Sequence, residues 1–295
     1  MSIKEFKTID EQISILKSRG LTISNYENAY DFLYKNNYYR ISGYTLTLRN
    51  HDIFYKGVDF QNIIDIYEFD HELRNILLKY IEVIEVMLKS IYAYEFSKKY
   101  GPNGYLDSDN FEKKETYDNI MKKAEKQKES RHGHEAYLKH FIEELGEPIP
   151  IWAYVDLLTI ADISFLYSIS NKELKKSIAN SIMKSANSAK KDKILEASMH
   201  EITIIRNLCA HGSRLYNRLF EQKPLLNQEE KGKLIIKSDG TIDNDHLYGF
   251  ILIMKKILDP SVFILMKAEI ICLTKKYPFV NMKYYGFRSD WKKKL

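Results

Sequence analysis

Apolar residues recur at three- and four-residue spacing through most of this chain, a pattern typical of amphipathic helices. The longest such stretch begins near residue 60 and ends at Gly101 and Pro102. It is apolar on more than one face, which predicts a central helix. The positions that carry this pattern include Leu73, Ile76, Leu77, Tyr80, Ile84, Met87, Leu88 and Ile91.

Capping signals divide the first sixty residues into short helices. Two segments match a capping box, Thr8-x-x-Glu11 and Ser24-x-x-Glu27. Gly20 stands where a glycine commonly ends a helix. The stretch 37–50 is rich in β-branched and aromatic residues around Gly43, which predicts a turn and a short strand.

A charged segment at 113–140, with eight Lys and Arg against five Asp and Glu, predicts a solvated helix that breaks near Gly133. For this segment a surface face is favoured over an RNA contact. Further helices are predicted at about 151–169, 172–184, 191–211 or beyond, and 244–275. Asp239 and Gly240 predict the turn of a small hairpin.

The fold class that follows is mainly α, with minor β elements. We divide the chain into an N-terminal helical unit at 1–59, a helical domain at 60–275 with a charged insertion at about 110–140, and an aromatic and basic tail at 276–295.

Composition narrows the class of protein without naming a function. A hydrophobic content of 44% with 29% charged residues is ordinary for a globular protein. Lys and Arg number 45 against 40 Asp and Glu, and the net charge of +5 permits a polyanionic partner such as RNA. The 22 Tyr and 14 Phe can stack on unpaired bases. For any single Tyr, however, a place in the core is favoured.

Cysteine usage and the apolar runs indicate a cytoplasmic protein without a membrane span. Cys209 and Cys272 are too few for a disulfide framework or a cysteine zinc site. The first twenty residues are charged and lack the apolar core of a signal peptide. The apolar run at 250–254 is far shorter than the ~20 residues that a membrane helix needs.

Six residues, from Arg206 to His211 in the segment RNLCAH, carry the main candidate chemistry. Cleavage of RNA by its own 2′-OH needs a base for the 2′ proton, a cation for the charge on the phosphorus, and an acid for the leaving oxygen. His titrates near neutral pH, and Arg offers a permanent fork for phosphate oxygens. We interpret His211 as the general acid/base, Arg206 as the transition-state cation and Asn207 as the residue that orients the phosphate.

The spacing of this motif leaves its geometry open. Arg206 and His211 are five residues apart, so their side chains point about 140° from one another on an ideal helix. The long Arg side chain, a distorted turn at Gly212, or a second copy of the motif across an interface would each bring the two groups together. Two copies around one phosphate would supply one His as base and another as acid.

Polar residues follow the motif at the spacing of one helix face. If the helix continues past His211, three of them extend a stripe from it: Arg214, Asn217 and Arg218. Glu85 on the predicted central helix either neighbours Arg206 or forms a surface pair with Lys89. The second alternative is favoured.

These residues resemble a known family. RNLCAH looks like the R-N-x-x-x-H signature of HEPN ribonucleases. The wider chain resembles the abortive-infection (AbiD/AbiF-type) phage-resistance proteins of bacteria. The matching segments follow one order along the chain: NNYYRISGY at 36–44, FDHELRNILLKYIEVIEVMLKSIYAYEF at 69–96, Pro-Ile-Trp at 150–152, RNLCAHGSRLYNR at 206–218 and GFRSDW at 286–291.

The resemblance implies an all-helical HEPN bundle, metal-independent endoribonuclease activity and a site composed across a homodimer. It places Arg206, Asn207 and His211 in the catalytic motif. Some members of the family are associated with a small structured non-coding RNA, so RNA is expected as substrate and as cognate partner. Where the family is expected to have a Glu and then Phe-Gly after Pro-Ile-Trp, this chain has Asp156 and then Ile160-Ala161, which weakens any role for that helix.

Aromatic and basic residues outside the motif are candidate RNA contacts, because rings stack on bases and cations neutralise phosphate. Besides the residues that follow the motif, these are Tyr39, Arg40, Arg74, Lys79 and Arg288. For the tail, packing of Phe287 and Trp291 on the core is an equal alternative. We expect no cofactor and no metal, since His132, His134 and His140 lack accompanying ligands and are interpreted as surface residues.

The sequence therefore favours an anti-phage HEPN ribonuclease. Two alternatives remain open. One is an RNA-binding protein that holds a cognate structured RNA with little or no cleavage. The other is a protein-binding helical module in which the Arg and His stabilise a dimer.

Overall fold

The computed structural model describes residues 5–146, 148–183 and 190–295. Over these ranges the fold is mainly α, as predicted. The helices are α1 (Ile9–Ser18), α2 (Tyr26–Asn36), α3 (Tyr38–Ser42), α4 (Phe60–Tyr100), α5 (Lys114–Arg131), α6 (Ala136–Lys139), α7 (Ile151–Tyr154), α8 (Ile160–Ile169), α9 (Lys172–Ile182), α10 (Lys191–Ala210), α11 (Gln228–Lys231), α12 (Leu247–Ile257), α13 (Pro260–Lys276) and α14 (Trp291–Lys294). Strands β1 (Arg49–Asn50) and β2 (Ile53–Phe54) pair antiparallel.

Helix α4 is the centre of the fold, as its apolar pattern predicts. It is 41 residues long, begins after the capping residue Asp59 and ends at Gly101, whose φ of +79° suits glycine. Because apolar side chains lie on several of its faces, it packs against α8, α9, α10 and α13 at once. Helix α10, which carries the RNLCAH motif, is therefore held on the central helix.

Of the two capping boxes that the sequence predicts, one forms and the other does not. The capping box between Thr8 and Glu11 forms as predicted at the start of α1. The second box is wrong, because Asn25 accepts the capping hydrogen bond of α2. The Ser24 hydroxyl instead donates to the Asp59 carboxylate at 2.6 Å, which ties the N-terminal helices to the start of α4.

The stretch 37–50 begins with a helix, although the sequence predicts a turn and a short strand there. Asn37 adopts a φ of +62°, and its side chain accepts a hydrogen bond from the Tyr39 N–H at 2.8 Å. This local cap lets the chain enter α3 directly after α2. The predicted strand is reduced to β1 at the far end of the stretch.

The single helix predicted at 244–275 is also wrong, because the chain forms α12 and α13 there. Pro260 has no N–H to donate and would clash with the preceding turn of a continuous helix. It stands instead at the first position of α13, where Asp259 caps the Ser261 N–H at 2.8 Å.

Three smaller predictions are confirmed. The hairpin forms around Asp239 and Gly240, with Ile236 bridged to Ile242. Helix α5 ends at Arg131, close to the predicted break. Helix α9 covers most of 172–184, and position 184 lies outside the described residues.

The buried core joins residues from all three predicted parts of the chain, including Leu33, Phe69 and Phe287. Trp291 is also buried, so the tail packs on the core, one of its two alternatives. The division into three parts stays a prediction. Among the described helices, none combines the length and the apolar character that crossing a membrane requires.

Candidate active site

The RNLCAH motif forms the last turns of α10, and His211 is the residue at which this helix ends. Gly212 follows with a φ of +62°, a conformation that costs glycine least. Its N–H donates to the Cys209 carbonyl at 3.1 Å, and the Ser213 N–H donates to the Leu208 carbonyl at 2.8 Å. This pair of bonds is the Schellman arrangement, which closes a helix and satisfies its last carbonyls. His211 is thus presented at a defined helix end.

Asn207 links the other two motif residues on α10. Asn207 and His211 are both exposed and lie four residues apart, so their side chains are neighbours on the same face. Arg206 is half-buried, and its Nη1 donates to the Asn207 Oδ1 at 3.4 Å. The Asn207 amide therefore stands between the guanidinium and the face that carries the imidazole.

The charge of Arg206 is not consumed by an ion pair. Among the described residues, no carboxylate oxygen lies within 4.0 Å of its guanidinium nitrogens. Glu85 is paired with Lys89 at 3.2 Å, so the favoured alternative for Glu85 is confirmed and the neighbour of Arg206 is not this carboxylate. A cation without a bound carboxylate is free to receive a phosphate.

Cys209, in the middle of the motif, has a packing role. Its side chain is buried, and burial raises the pKa of its thiol to about 12. At neutral pH it is protonated and is not a nucleophile.

The segment after His211 is fixed by side chains that come from distant parts of the chain. The Arg40 guanidinium donates to the Gly212 carbonyl, and Arg74 donates to the Ser213 carbonyl at 3.4 Å. The Arg214 guanidinium folds back on its own loop, where it donates to the carbonyls of Tyr216 and Asn217. The loop thus has a defined conformation, although it belongs to no helix or strand.

Asp70 on α4 is the centre of this support. Its carboxylate is fully buried and receives five donors: the Arg74 guanidinium, the N–H groups of Leu215 (3.1 Å) and Tyr216 (2.9 Å), and the hydroxyls of Tyr44 (2.8 Å) and Tyr285 (2.9 Å). Burial raises the pKa of Asp70, while the Arg74 guanidinium and the hydrogen bonds oppose that effect by stabilising the charged form. One carboxylate therefore joins the N-terminal unit, α4, the loop after the motif and the tail.

Two further contacts complete the support of this loop. The Tyr216 and Thr47 hydroxyls are hydrogen bonded at 2.6 Å, and the Asn217 N–H donates to the Tyr284 carbonyl at 2.9 Å. Gly43 lies against Arg214, because a Cβ at Gly43 would come within 3.0 Å of the Arg214 Nε. The N-terminal unit therefore approaches the loop at a position where a larger residue would require the Arg214 side chain to shift.

Two expectations about the residues around the motif are corrected. The helix ends at His211, so Arg214, Asn217 and Arg218 do not continue a stripe on the face of His211. Arg74 is 3% exposed and paired with Asp70, which removes it from the surface where RNA would bind. We no longer propose Arg74 as an RNA contact.

The other predicted RNA contacts differ in their exposure and in whether another group of the chain already binds their charge. Tyr39 is 87% exposed, and Arg218 lies half-buried with its guanidinium 5.8 Å from the Phe220 ring centroid. The Lys79 ammonium faces solvent but is bound to Glu269 at 2.6 Å. Arg288 donates to the Gly232 carbonyl and is paired with Asp290. RNA binding by each of these residues stays a prediction.

Asp70 is the residue that the sequence analysis missed. A signal for it exists, since it occupies a position of the apolar pattern of α4 and stands four residues before Arg74. A buried carboxylate at that spacing from an arginine indicates an ion pair. Its other partners are 26 to 215 residues away in sequence, so spacing gives no access to them.

One cluster of potential metal ligands occurs among the described residues, formed by Asp243, Asp245 and His246. The Lys237 ammonium is bound to both oxygens of Asp245, at 2.9 and 3.0 Å. The His246 Nδ1 is hydrogen bonded to Asp243 at 2.6 Å. Lys237 thus already binds the Asp245 carboxylate, and His246 binds that of Asp243.

Glu201 is a second buried carboxyl group, on the part of α10 that precedes the motif. Its Oε1 accepts a hydrogen bond from the Leu225 N–H at 3.0 Å, while its Oε2 has no partner among the described residues. Burial raises the pKa of Glu201 to about 7, although the Leu225 N–H and the Lys256 ammonium act in the opposite direction.

This raised pKa predicts a stability that falls with pH. In the unfolded chain Glu201 titrates near 4.5, so between that pH and about 7 the folded protein binds more protons than the unfolded one. Glu201→Gln removes this titration. From pH 5.5 to pH 8, the free energy of unfolding of the wild type should therefore fall by about 2 kcal/mol more than that of Glu201→Gln. Urea unfolding of both proteins at the two pH values measures this difference, and parallel pH dependence would contradict it.

Comparison with known proteins identifies the family to which this chain belongs. A family model described as Abi-like protein matches residues 31–217, which is more than half of the chain. The chain belongs to the Abi-like protein family. No curated protein and no solved structure matches it.

The range that matches the Abi-like family includes most of the network described above. It begins before Arg40, contains Asp70 and the whole RNLCAH motif, and ends at Asn217. Tyr285 and Arg288 lie beyond it. The family range thus ends where the loop after His211 is anchored to the tail.

Proposed function

We propose that this Abi-like protein is a metal-independent endoribonuclease that acts in the cytoplasm in abortive infection by phage. One observation carries the proposal. At a helix end that a buried hydrogen-bond network holds in place, His211 and Asn207 are exposed on one face, and Asn207 accepts a hydrogen bond from Arg206, which has no ion pair among the described residues. A base and a free cation near one phosphate are what self-cleavage of RNA requires.

Each residue then has one role. Arg206 binds the non-bridging oxygens of the scissile phosphate and stabilises the charge that develops on them. His211 takes the proton from the 2′-OH, whose oxygen attacks the phosphorus, while the 5′ oxygen leaves with a proton from an acid. Asn207 orients the phosphate through its amide. The products are a 2′,3′-cyclic phosphate and a 5′-hydroxyl.

The reaction needs an acid as well as a base, and one copy of the motif contains one histidine. We therefore propose a homodimer in which two motifs face one phosphate and supply two His211 side chains. The exposure of His211 and Asn207 supports this arrangement, because a site composed between copies must present its groups at the surface.

The second candidate is an RNA-binding protein that cleaves little or nothing. The Tyr39 ring, which is 87% exposed, favours it, since an exposed aromatic ring can stack on an unpaired base. Such a protein would hold a small structured non-coding RNA without processing it.

The experiment that separates these functions uses the purified protein and labelled single-stranded RNA in the presence of EDTA. Cleavage with 2′,3′-cyclic phosphate ends supports the ribonuclease. One discrete RNA that co-purifies and stays intact supports the RNA-binding protein. Absence of any salt-dependent RNA affinity would overturn both and favour a protein-binding module.

A further inference from the structure

A groove of about 550 Å³ runs along the same helix as the motif. One wall is formed by His200, Ile204 and Leu208 of α10. The chain at 218–222, which follows the loop after the motif, forms the other wall. A cleft of this size is within the usual range for a small-molecule site.

The groove and His211 lie on one face of α10. Positions 200, 204, 208 and 211 are spaced by four, four and three residues, so their side chains follow one line along the helix. With a rise of about 1.5 Å per residue, Leu208 lies about one turn from His211, and His200 lies about 16 Å away. The end of the groove at Leu208 is therefore about one helical turn from His211.

The far wall has a fixed position. The Phe220 N–H donates to the Asp245 carbonyl at 2.8 Å, and the Phe220 ring packs on Phe250 with a centroid distance of 4.5 Å. The Arg218 N–H donates to the Leu215 carbonyl at 3.2 Å, which joins this wall to the segment that Asp70 holds. The groove is therefore a preformed feature of the fold.

The lining has the chemistry of a nucleotide site. Ile204 and Leu208 are half-buried and give an apolar wall, and Leu219 exposes 66% of its surface opposite them. Among the described residues, Arg218 has no ion pair, so its charge is available to a phosphate. His200, Gln222 and the exposed Glu221 carboxylate add polar groups that can bind base edges. A flat base with an apolar face, polar edges and an attached phosphate matches this set.

We infer that this groove binds a nucleobase next to the scissile phosphate at the motif and selects the RNA by that base. The inference rests on the RNA function proposed above. The ligand is single-stranded RNA, because a base inside a duplex is stacked and paired and cannot turn its face to a protein groove. Arg218 then binds the neighbouring phosphate.

The test measures binding without cleavage. In a His211→Ala background, fluorescence anisotropy gives the affinity for twelve-nucleotide homopolymers of A, C and U. We expect a spread of about fivefold or more between the best and the worst homopolymer, since base stacking on protein side chains differs among bases. Filling the groove by Ile204→Trp should reduce this spread to less than about twofold.

A second variant guards against misfolding. The double change His200→Ala and Leu219→Ala alters two exposed side chains of the groove, so the fold should persist while the spread still falls. Ile264→Trp is the matched control, because Ile264 is 63% exposed on α13 and lies outside the groove. Its spread should equal that of the His211→Ala parent.

Two results would overturn the inference. One is equal affinity of the parent for all three homopolymers, or an unchanged spread in both groove variants. The other is a change of oligomeric state in the groove variants with an unchanged spread, which would mean that a second copy occupies the groove. Both are distinct from failure of the ribonuclease proposal, which is absence of cleavage by the wild type.

Discussion

Replacing His211 by alanine is expected to slow cleavage of single-stranded RNA by about 10³-fold, because the reaction loses its proton-transfer group. The affinity for RNA should change little, since the imidazole is exposed and Arg206 keeps its free charge. The measurement is the single-turnover rate with EDTA present, together with the amount of RNA that co-purifies. The thermal unfolding midpoint should stay within about 2 °C of the wild type, because exposed positions contribute little to stability.

A matched histidine variant controls for nonspecific effects. His134 is also exposed, and it lies in the short connection between α5 and α6, away from α10. His134→Ala should cleave at the wild-type rate. Equal rates for the two alanine variants and the wild type would contradict the role assigned to His211.

The same variant tests the composite site. A mixture of His211→Ala and Arg206→Ala proteins contains dimers in which one copy keeps the histidine and the other keeps the arginine. If one phosphate lies between two motifs, the mixture should recover part of the activity that neither variant has alone. Activity of the mixture no higher than that of the separate variants would contradict a shared site in which one histidine and one arginine from different copies keep part of the rate.

Asp70→Asn is expected to lower the free energy of unfolding by about 3–5 kcal/mol. The amide cannot balance the buried Arg74 guanidinium, and its NH₂ group faces donors instead of accepting from them. Urea unfolding gives the free energy, and hydrogen exchange gives a local readout. The Leu215 and Tyr216 amides should exchange faster, because both donate to Asp70 in the wild type.

Glu72→Gln is the matched control for the buried pair. Glu72 lies on the same helix and binds Lys276 at 2.6 Å, but its side chain is 33% exposed and that of Lys276 is 59% exposed. Solvent screens such a pair, so the change should cost less than about 1 kcal/mol. If Asp70→Asn costs no more than Glu72→Gln, the buried network does not hold the loop after His211.

How far the sequence predicts this structure depends on the range of the interaction concerned. The span of α4 and the Thr8 cap follow from local spacing and from glycine, and both are present. The cap at Ser24 failed because a residue 35 positions away, Asp59, binds its hydroxyl. No local pattern contains that partner.

The candidate site shows the same division. Its motif could be predicted from the sequence because Arg206, Asn207 and His211 stand within six residues on one helix. The hydrogen bonds that support the motif could not be predicted from the sequence. Arg40 and Gly212 are 172 residues apart, and Asp70 and Tyr285 are 215 residues apart. Those contacts arise from packing of α4 against the rest of the fold, which periodicity alone does not specify.

The large sequence separation between Asp70 and Tyr285 also sets an order of events during synthesis. Tyr285 is made 215 residues after Asp70, and at about 5–20 residues per second this takes roughly 10 to 40 s. Until then the Asp70 carboxylate lacks one of its partners, and the loop after His211, once made, lacks its anchor at Tyr284. The surroundings of the motif are therefore completed only after Tyr284 and Tyr285 have been translated.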